Sequence, residues 1–555
     1  MLLSGADILV LTLLEQGCDT VFGYPGGQIL NVYDSLYRYS DRIRHILTAH
    51  EQGAAHAADG YARATGRPGV VISTSGPGAT NLVTGIATAY LDSVPLIAVC
   101  GNVPTTQIGS DSFQEIDITG ITLPITKHNY FVGSVEQLAP TIREAFALAM
   151  SGRPGPVLID IPKDVQIAQC EYTPAPPASP EPPRAAKELR LREAADIINA
   201  ASRPFLYFGG GLIASNAEEE LLALAETLDA PIGCSLMGLS AIPTAHPRFL
   251  GMQGMHGHYA SSMAMHHADL ILSLGVRFND RVTGNRAKFA TGAKIVHIDV
   301  DGSELSKTVN AACGLRGDVK LTLQGLLPLL KPKKNPEWSE TVARFRREEE
   351  ETLDHRDGLT PRRAILTLNR HLGNNTAVAT DVGQHQMWAA QNLTFSTPRR
   401  FITSGGLGTM GFGLGAAIGA AFGTGERSVL VTGDGSFGMC LNELATAVSH
   451  HIPVVILLLN NGVLGMVRQW QTLFFNKHYS NTVLDRKTDF VALARAFGAD
   501  GEAVSTPEAL DEALTRGFAA EGPYVIDCAI DKDEFVLPML PPGGSMDDII
   551  VRLGD

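Results

Sequence analysis

The chemistry in this chain centres on an aspartate set between two glycines, in VTGDGSFGM (431–439), and an asparagine pair, Asn460 and Asn461. The apolar run at 428–432 reads as a buried strand, 441–448 has apolar residues at helical spacing, and 453–459 reads as a second buried strand. Strand, turn, helix and strand of this length make a βαβ unit with parallel strands. Asp434 and Asn461 then both lie at the carboxyl ends of strands, the edge where open α/β sheets bind ligands. If the strands are neighbours, about 5 Å apart, a carboxylate and an amide carbonyl converge on one point. That donor set suits a hard divalent cation completed by water and phosphate oxygens. The pair predicts Mg²⁺ and a phosphorylated ligand.

The elements that must position this pair are organised in three blocks. The chain has 555 residues, 45% of them hydrophobic, enough for about three domains. A proline-rich linker at 173–183 and a charged, helix-prone stretch from Lys331 to Arg363 set the expected boundaries at 1–172, 188–340 and 362–532, with a tail at 533–555. The first and third blocks share one punctuation: strand, glycine turn, helix, proline, strand. Pro95 is the nineteenth residue after Gly76, and Pro453 the twentieth after Gly433. We read two copies of one α/β fold, only the second of which carries the Asp and Asn pair. One ligand bridging the two copies follows from that asymmetry. The middle block is also α/β, and its strand at 294–298 ends in Asp299, where a dinucleotide fold places its ribose acid.

Composition narrows the function classes. A net charge of −14 argues against nucleic acid and anionic membranes as partners. Seven dispersed cysteines with no CxxC fit reduced thiols rather than a disulfide framework or a zinc site. No basic leader opens the chain and no apolar run reaches membrane-spanning length, so a soluble cytoplasmic protein is expected.

GDG followed by NN after the 24 residues 436–459 resembles the signature of thiamine-diphosphate enzymes. HEQGAAHAADGYARATG (50–66) adds a glutamate, Glu51, at the start of a small-residue helix. A GxGxxG match at 406–411 is discounted as a lone motif in a glycine-rich chain. Nearly the whole sequence then resembles the catalytic large subunit of acetohydroxyacid synthase (acetolactate synthase), through YPGG (24–27), TSGPGATNLVTGIATAY (74–90), FQEID (113–117), PGPVLIDIPKDVQ (154–166), GMHG (254–257), RFNDRVTG (277–284), DVGQHQMWAAQ (381–391), SGGLGTMGFG (404–413) and LGMVRQWQ (464–471). RFNDRVTG and LGMVRQWQ separate this family from pyruvate decarboxylases and from FAD-free catabolic synthases.

The resemblance implies three doubly wound α/β domains with parallel sheets: pyrimidine-binding, central FAD-binding and diphosphate-binding. It implies thiamine diphosphate, Mg²⁺ and FAD as cofactors, with pyruvate and 2-oxobutyrate as substrates. Glu51 is expected on the aminopyrimidine ring, favouring the imino form that deprotonates the thiazolium. Decarboxylated pyruvate then adds to the ketone of a second 2-oxo acid, with water kept out. Asp434, Asn461 and the Val463 carbonyl are the expected metal ligands, and Gln384, His385, Gly435 and Ser436 the diphosphate contacts. Gly408, Met410 and Met466 are placed against the thiamine. Trp470 is placed as the wall that favours 2-oxobutyrate, by about 1–3 kcal/mol for one methyl. Arg281 is expected to hold the acceptor carboxylate, with Gly27, Phe113, Gln114 and Lys163 at the entrance. Arg153, Gly209, Gly210, Gly211, His256, Arg277, Asp299 and Asp318 match the FAD contacts, and the tail at 541–548 resembles a lid.

Three departures stand out: Asn279 replaces an aspartate in RFNDRVTG, Gln28 a small residue beside YPGG, and Gly415 a proline, at an expected modest cost in helix stability. The family further implies a homodimer or dimer of dimers with its active site at the interface, and in many members a small regulatory subunit. A thiamine-dependent decarboxylase without FAD is the runner-up. A non-catalytic scaffold on the same fold is disfavoured because Glu51, Asp434 and Asn461 are all intact.

Overall fold

The structure, a computed structural model, describes residues 1–552. Three six-stranded sheets form the frame, and within each every neighbouring pair is parallel. The first runs in space Arg44–Leu47, Thr20–Gly23, Gly69–Ser73, Leu96–Asn102, Val157–Pro162, His128–Phe131. The third runs Phe401–Ile402, Ala377–Thr380, Ser428–Gly433, Val454–Asn460, Tyr524–Ala529, Asp500–Val504. Numbered along the chain, both orders are 2-1-3-4-6-5, so the repeated punctuation does mark two copies of one fold. The middle sheet differs: Phe249–Met252, Ile232–Cys234, Pro204–Phe208, Leu270–Leu274, Lys294–Asp299, Cys313–Arg316. Its order is 3-2-1-4-5-6, that of dinucleotide-binding sheets. The central strands are buried along their length because helices cover both faces.

The repeat extends to side chains. Asn102 Nδ2 donates to Asp160 Oδ2 at 2.7 Å in the first sheet, and Asn460 Nδ2 donates to Asp527 Oδ1 at 3.0 Å in the third. Asp160 lies opposite Cys100 and Asp527 opposite Leu458, in each case two residues before the asparagine. Carrying this register across places Ser75 at the position of Asp434, and Val103 at that of Asn461.

Alternating strand residues send the third sheet into two cores. Val429, Val431, Val455 and Leu457 join residues of the middle domain in one apolar cluster. Leu430, Val454, Ile456 and Leu458 join residues of the first domain in another. The second cluster contains a seam between helices Glu51–Thr65 and Gly413–Thr424. A side chain at Gly419 would overlap the Ala57 carbonyl, and one at Gly60 the Ala416 carbonyl. Gly415 belongs to this seam: a Cβ there would sit 2.8 Å from the Gly53 oxygen. Gly415 thereby allows a close approach of the two backbones.

Residues 173–187 have no regular element, as a proline-rich linker should. The charged stretch after Lys331 supplies the helix Pro336–Glu350, which packs Trp338, Val342 and Phe345 on the middle domain. The helix expected over 441–448 is different. Helix begins at Asp434 (Asp434–Cys440), passes through a 3₁₀ turn at Leu441–Glu443 and resumes at Leu444–Ser449. DGSFGMC has no apolar stripe, so periodicity detects only the later turns. Among the described residues no helix is long and apolar enough to cross a membrane, and all seven cysteines are unpaired.

Candidate active site

Asp434 is the first helical residue after Ser428–Gly433, and Asn461 follows the adjacent strand Val454–Asn460, with Gly433 opposite Leu459. Burial pushes the Asp434 carboxyl up to about 6, against main-chain N–H groups of Asp434, Asn461 and Gly435 that favour its anion. Asn461 Nδ2 donates to Gln384 Oε1 at 3.4 Å and its Oδ1 accepts from Val463 N at 3.1 Å. The amide is thereby oriented with a lone pair left over. His385, at the start of helix Gln384–Asn392, is buried with Nε2 unpartnered. Burial lowers its imidazole to about 3, so it is neutral at pH 7. Gln384 is more committed than expected: its Nε2 donates to Gln469 Oε1 and to the Glu534 carbonyl.

A cavity of about 2190 Å³ opens beside this group. Gly408, Met410, Met466, Trp470 and Arg281 line it on one side, and the glycines at 209–211 with Asp299 and Asp318 on the other. The Arg281 guanidinium lies over the Trp470 ring, 5.7 Å from its centroid, and Phe474 meets the same ring edge-on. Residues 536–544 of the tail bond to the middle and third domains. Val536 exchanges hydrogen bonds with Gln469, Leu540 N donates to the Met255 carbonyl, and Asn285 N donates to the Gly544 carbonyl.

A second group of predicted residues gathers at the carboxyl edge of the first sheet. Glu51 is buried at the start of its helix and its Oε2 accepts from Asn81 Nδ2 at 2.9 Å. A Cβ on Gly78 would come within 3.2 Å of the other Glu51 oxygen. Lys163 Nζ donates to the Gly27 carbonyl at 3.2 Å, Gln114 packs on Gly76, and Phe113 projects into solvent. None of these lines the large cavity. The predicted residues thus fall into two separate groups.

Three thiamine pyrophosphate enzyme models match in order: the N-terminal TPP-binding domain at 3–121, the central domain at 191–326 and the C-terminal TPP-binding domain at 381–528. A probable acetolactate synthase large subunit of Methanocaldococcus jannaschii is 45% identical over 99% of this chain and 95% of that protein. The large subunits of acetolactate synthase isozymes 2 and 3 of Escherichia coli are 44% and 42% identical, over 99% of this chain and 100% and 98% of their own lengths. The chain belongs to the acetolactate synthase large-subunit family.

The residues fit the cofactors this family implies. Among the described residues no three His, Cys, Asp or Glu side chains cluster to hold a metal ion. A cation at this edge would instead find Asp434, the Asn461 amide and a main-chain oxygen such as that of Val463, which with phosphate oxygens is a donor set that suits magnesium. The unpartnered His385 Nε2 suits a phosphate oxygen. In the middle domain His256 Nδ1 is buried and unpartnered where it lines the cavity. Gly209 and Gly211 press on Gly275, so close packing alone requires them, while a Cβ on Gly210 would make only ordinary contact with Met237. Arg153 and Asp318 are partly committed: Arg153 pairs with Asp301 and Glu304, and Asp318 accepts from Ser215 Oγ and caps Leu321 N.

Several residues that shape the site escaped the sequence reading. Asn81 orients Glu51. Asp381, buried at the end of Ala377–Thr380, accepts from Gly411 N at 2.8 Å and Val382 N at 3.0 Å, tying the loop that carries Met410 to the turn before Gln384. An acid at a strand end before Gly383 was the available signal. Asp92 and Gln469 gave none, because their partners lie far away in sequence.

Proposed function

We propose that this chain decarboxylates pyruvate and joins the remaining two-carbon unit to a second 2-oxo acid, giving 2-acetolactate or 2-aceto-2-hydroxybutyrate for valine, leucine and isoleucine synthesis. The carrying observation is the pair of intact half-sites, Asp434 with Asn461 on one sheet and Glu51 with Asn81 on its duplicate. Thiamine diphosphate, when bound, supplies the electron sink that lets pyruvate lose CO₂ and leaves its former carbonyl carbon nucleophilic. Asp434, Asn461 and the Val463 carbonyl would hold Mg²⁺, while His385, Gly435 and Ser436 would meet the diphosphate and Gln384 would brace Asn461. Gly408, Met410 and Met466 would support the thiamine rings. Glu51 would exchange a proton with the aminopyrimidine ring, its carboxylate held in place by Asn81.

Arg281 would bind the acceptor carboxylate, and Trp470, fixed by Arg281 and Phe474, would pack on the acceptor's alkyl group. Gly27, Gln114 and Lys163 would border the entrance. FAD would lie along Arg153, Gly209, Gly210, Gly211, His256, Arg277, Asp299 and Asp318 as a structural group, since the net reaction moves no electrons. The two half-sites occupy separate surfaces of one chain, which supports a homodimer or dimer of dimers whose partners complete each site. The "large subunit" in the relatives' names supports a small regulatory partner. We place the domains at 1–172, 188–340 and 362–532, and the protein in the cytoplasm.

The test is to strip the protein of cofactors, add back thiamine diphosphate and Mg²⁺ with and without FAD, and supply pyruvate plus 2-oxobutyrate. A large excess of 2-aceto-2-hydroxybutyrate requiring FAD supports the reading; acetolactate alone, indifferent to FAD, points to the catabolic enzyme. Trp470→Leu should lower the acceptor preference by roughly tenfold or more while leaving pyruvate turnover largely intact.

A further inference from the structure

Residues 91–93, at the end of helix Val83–Asp92, meet donors from all three domains. Arg277 of the middle domain donates to the Leu91 carbonyl at 2.6 Å. Arg153 Nε donates to Ser93 Oγ at 2.8 Å and its Nη1 pairs with Asp301 and Glu304 of the middle domain. Asp92, wholly buried, accepts from Gly405 N at 3.0 Å and Gly406 N at 2.7 Å on the loop leading to Gly408 and Met410. Arg63 locks the junction: it pairs with Asp59 and Asp92 and donates to the Thr403 carbonyl at 2.9 Å. Leu91, Asp92 and Ser93 also line the large cavity.

A buried carboxylate with both oxygens engaged cannot shift without breaking charge-assisted bonds. The two arginines reach the nucleotide end of the cavity, and the glycine loop borders the thiamine end. Ordering either end therefore fixes the same three residues. We infer that the Leu91–Asp92–Ser93 turn couples the two ends, so that FAD and thiamine diphosphate each tighten the binding of the other. This rests on the cofactor assignment above and assigns the turn a positioning role, without contact to reacting atoms. Ordering shared by two ligands gives positive coupling even with little structural change, and coupling is reciprocal.

The experiment titrates FAD into cofactor-free protein, reading quenching of flavin fluorescence, with and without saturating thiamine diphosphate and Mg²⁺. It then titrates thiamine diphosphate with and without FAD. A drop of about fivefold or more in Kd, by the same factor in both directions, is expected. Asp92→Asn should bring that factor toward one, and so should Ser93→Gly, a milder change because Ser93 has φ +60° and glycine accepts it freely. Binding of both cofactors with no mutual effect, or full coupling retained in both variants, overturns the inference and leaves the proposed function standing. Failure of the wild type to bind either cofactor overturns both.

Discussion

The first and third domains are one fold used twice, and what separates them is two residues at one sheet edge. Both have strand order 2-1-3-4-6-5 and both carry an Asn–Asp hydrogen bond across the same pair of strands. Where the third domain presents Asp434 and Asn461, the first has Ser75 and Val103, and Ser75 Oγ is buried without a partner. The first domain instead places Glu51 at its edge, held by Asn81. On the proposed function, the shared scaffold would supply a cation and phosphate end in one copy and a proton-exchanging acid in the other. The two copies thus share one strand order and differ in the residues at their strand ends.

Five substitutions break or sharpen that comparison. Glu51→Gln should have the largest effect, a fall in kcat of roughly 10²–10⁴, with thiamine diphosphate affinity nearly unchanged by titration. Asp434→Ser gives the third domain the first domain's residue. Losing an outer-shell partner costs roughly 10–100-fold in metal affinity, so loss of this ligand should exceed about 100-fold in the Mg²⁺ needed for half activation. Gly419→Ala tests the seam between the copies. Its methyl would overlap the Ala57 carbonyl, and overpacking of this kind costs about 1–3 kcal/mol, seen as a lower denaturant midpoint. Normal stability in this variant would mean that the helices separate more easily than their packing indicates.

The smallest effect concerns the shared Asn–Asp pair. Burial raises the Asp160 carboxyl to about 7, while Asn102 pulls it down. In the unfolded chain the same group ionises near 3.9. Above that value the unfolded state releases a proton that the folded state keeps, so stability falls as pH rises from about 4 through 7. Asp160→Asn should therefore gain on the wild type between pH 5 and 8 in thermal melts, and the difference should shrink below pH 4. Asp527, raised in the same direction but more exposed, should show a weaker version in Asp527→Asn.

Much of this was legible in the chain. GDG and NN marked two adjacent strand ends because strand, turn and helix lengths constrain where such residues lie. The duplication was legible because glycine and proline fall at the same intervals in both copies. The common strand order was not, since sequence spacing does not say which strand pairs with which. Helix from Asp434 to Cys440 was missed because glycine and serine carry no periodic signal there. Asn81 and Asp92 were missed for a different reason. Each acts through a partner that the fold, not local sequence, brings to it, and for Asp92 that partner lies more than 300 residues away. The gathering of Glu51, Gly27 and Lys163 away from the large cavity likewise required three dimensions.

The alternating side chains of the third sheet have a thermodynamic consequence. Val429 and Val431 complete a core with the middle domain, and Leu430 completes one with the first. Melting the third sheet would strip an apolar wall from both neighbours at once. Three domains need not mean three melting events. Unlike a string of independent modules, this chain has its central cooperative unit near one end of the sequence, and calorimetry should record loss of the third sheet together with both neighbouring cores in a single endotherm.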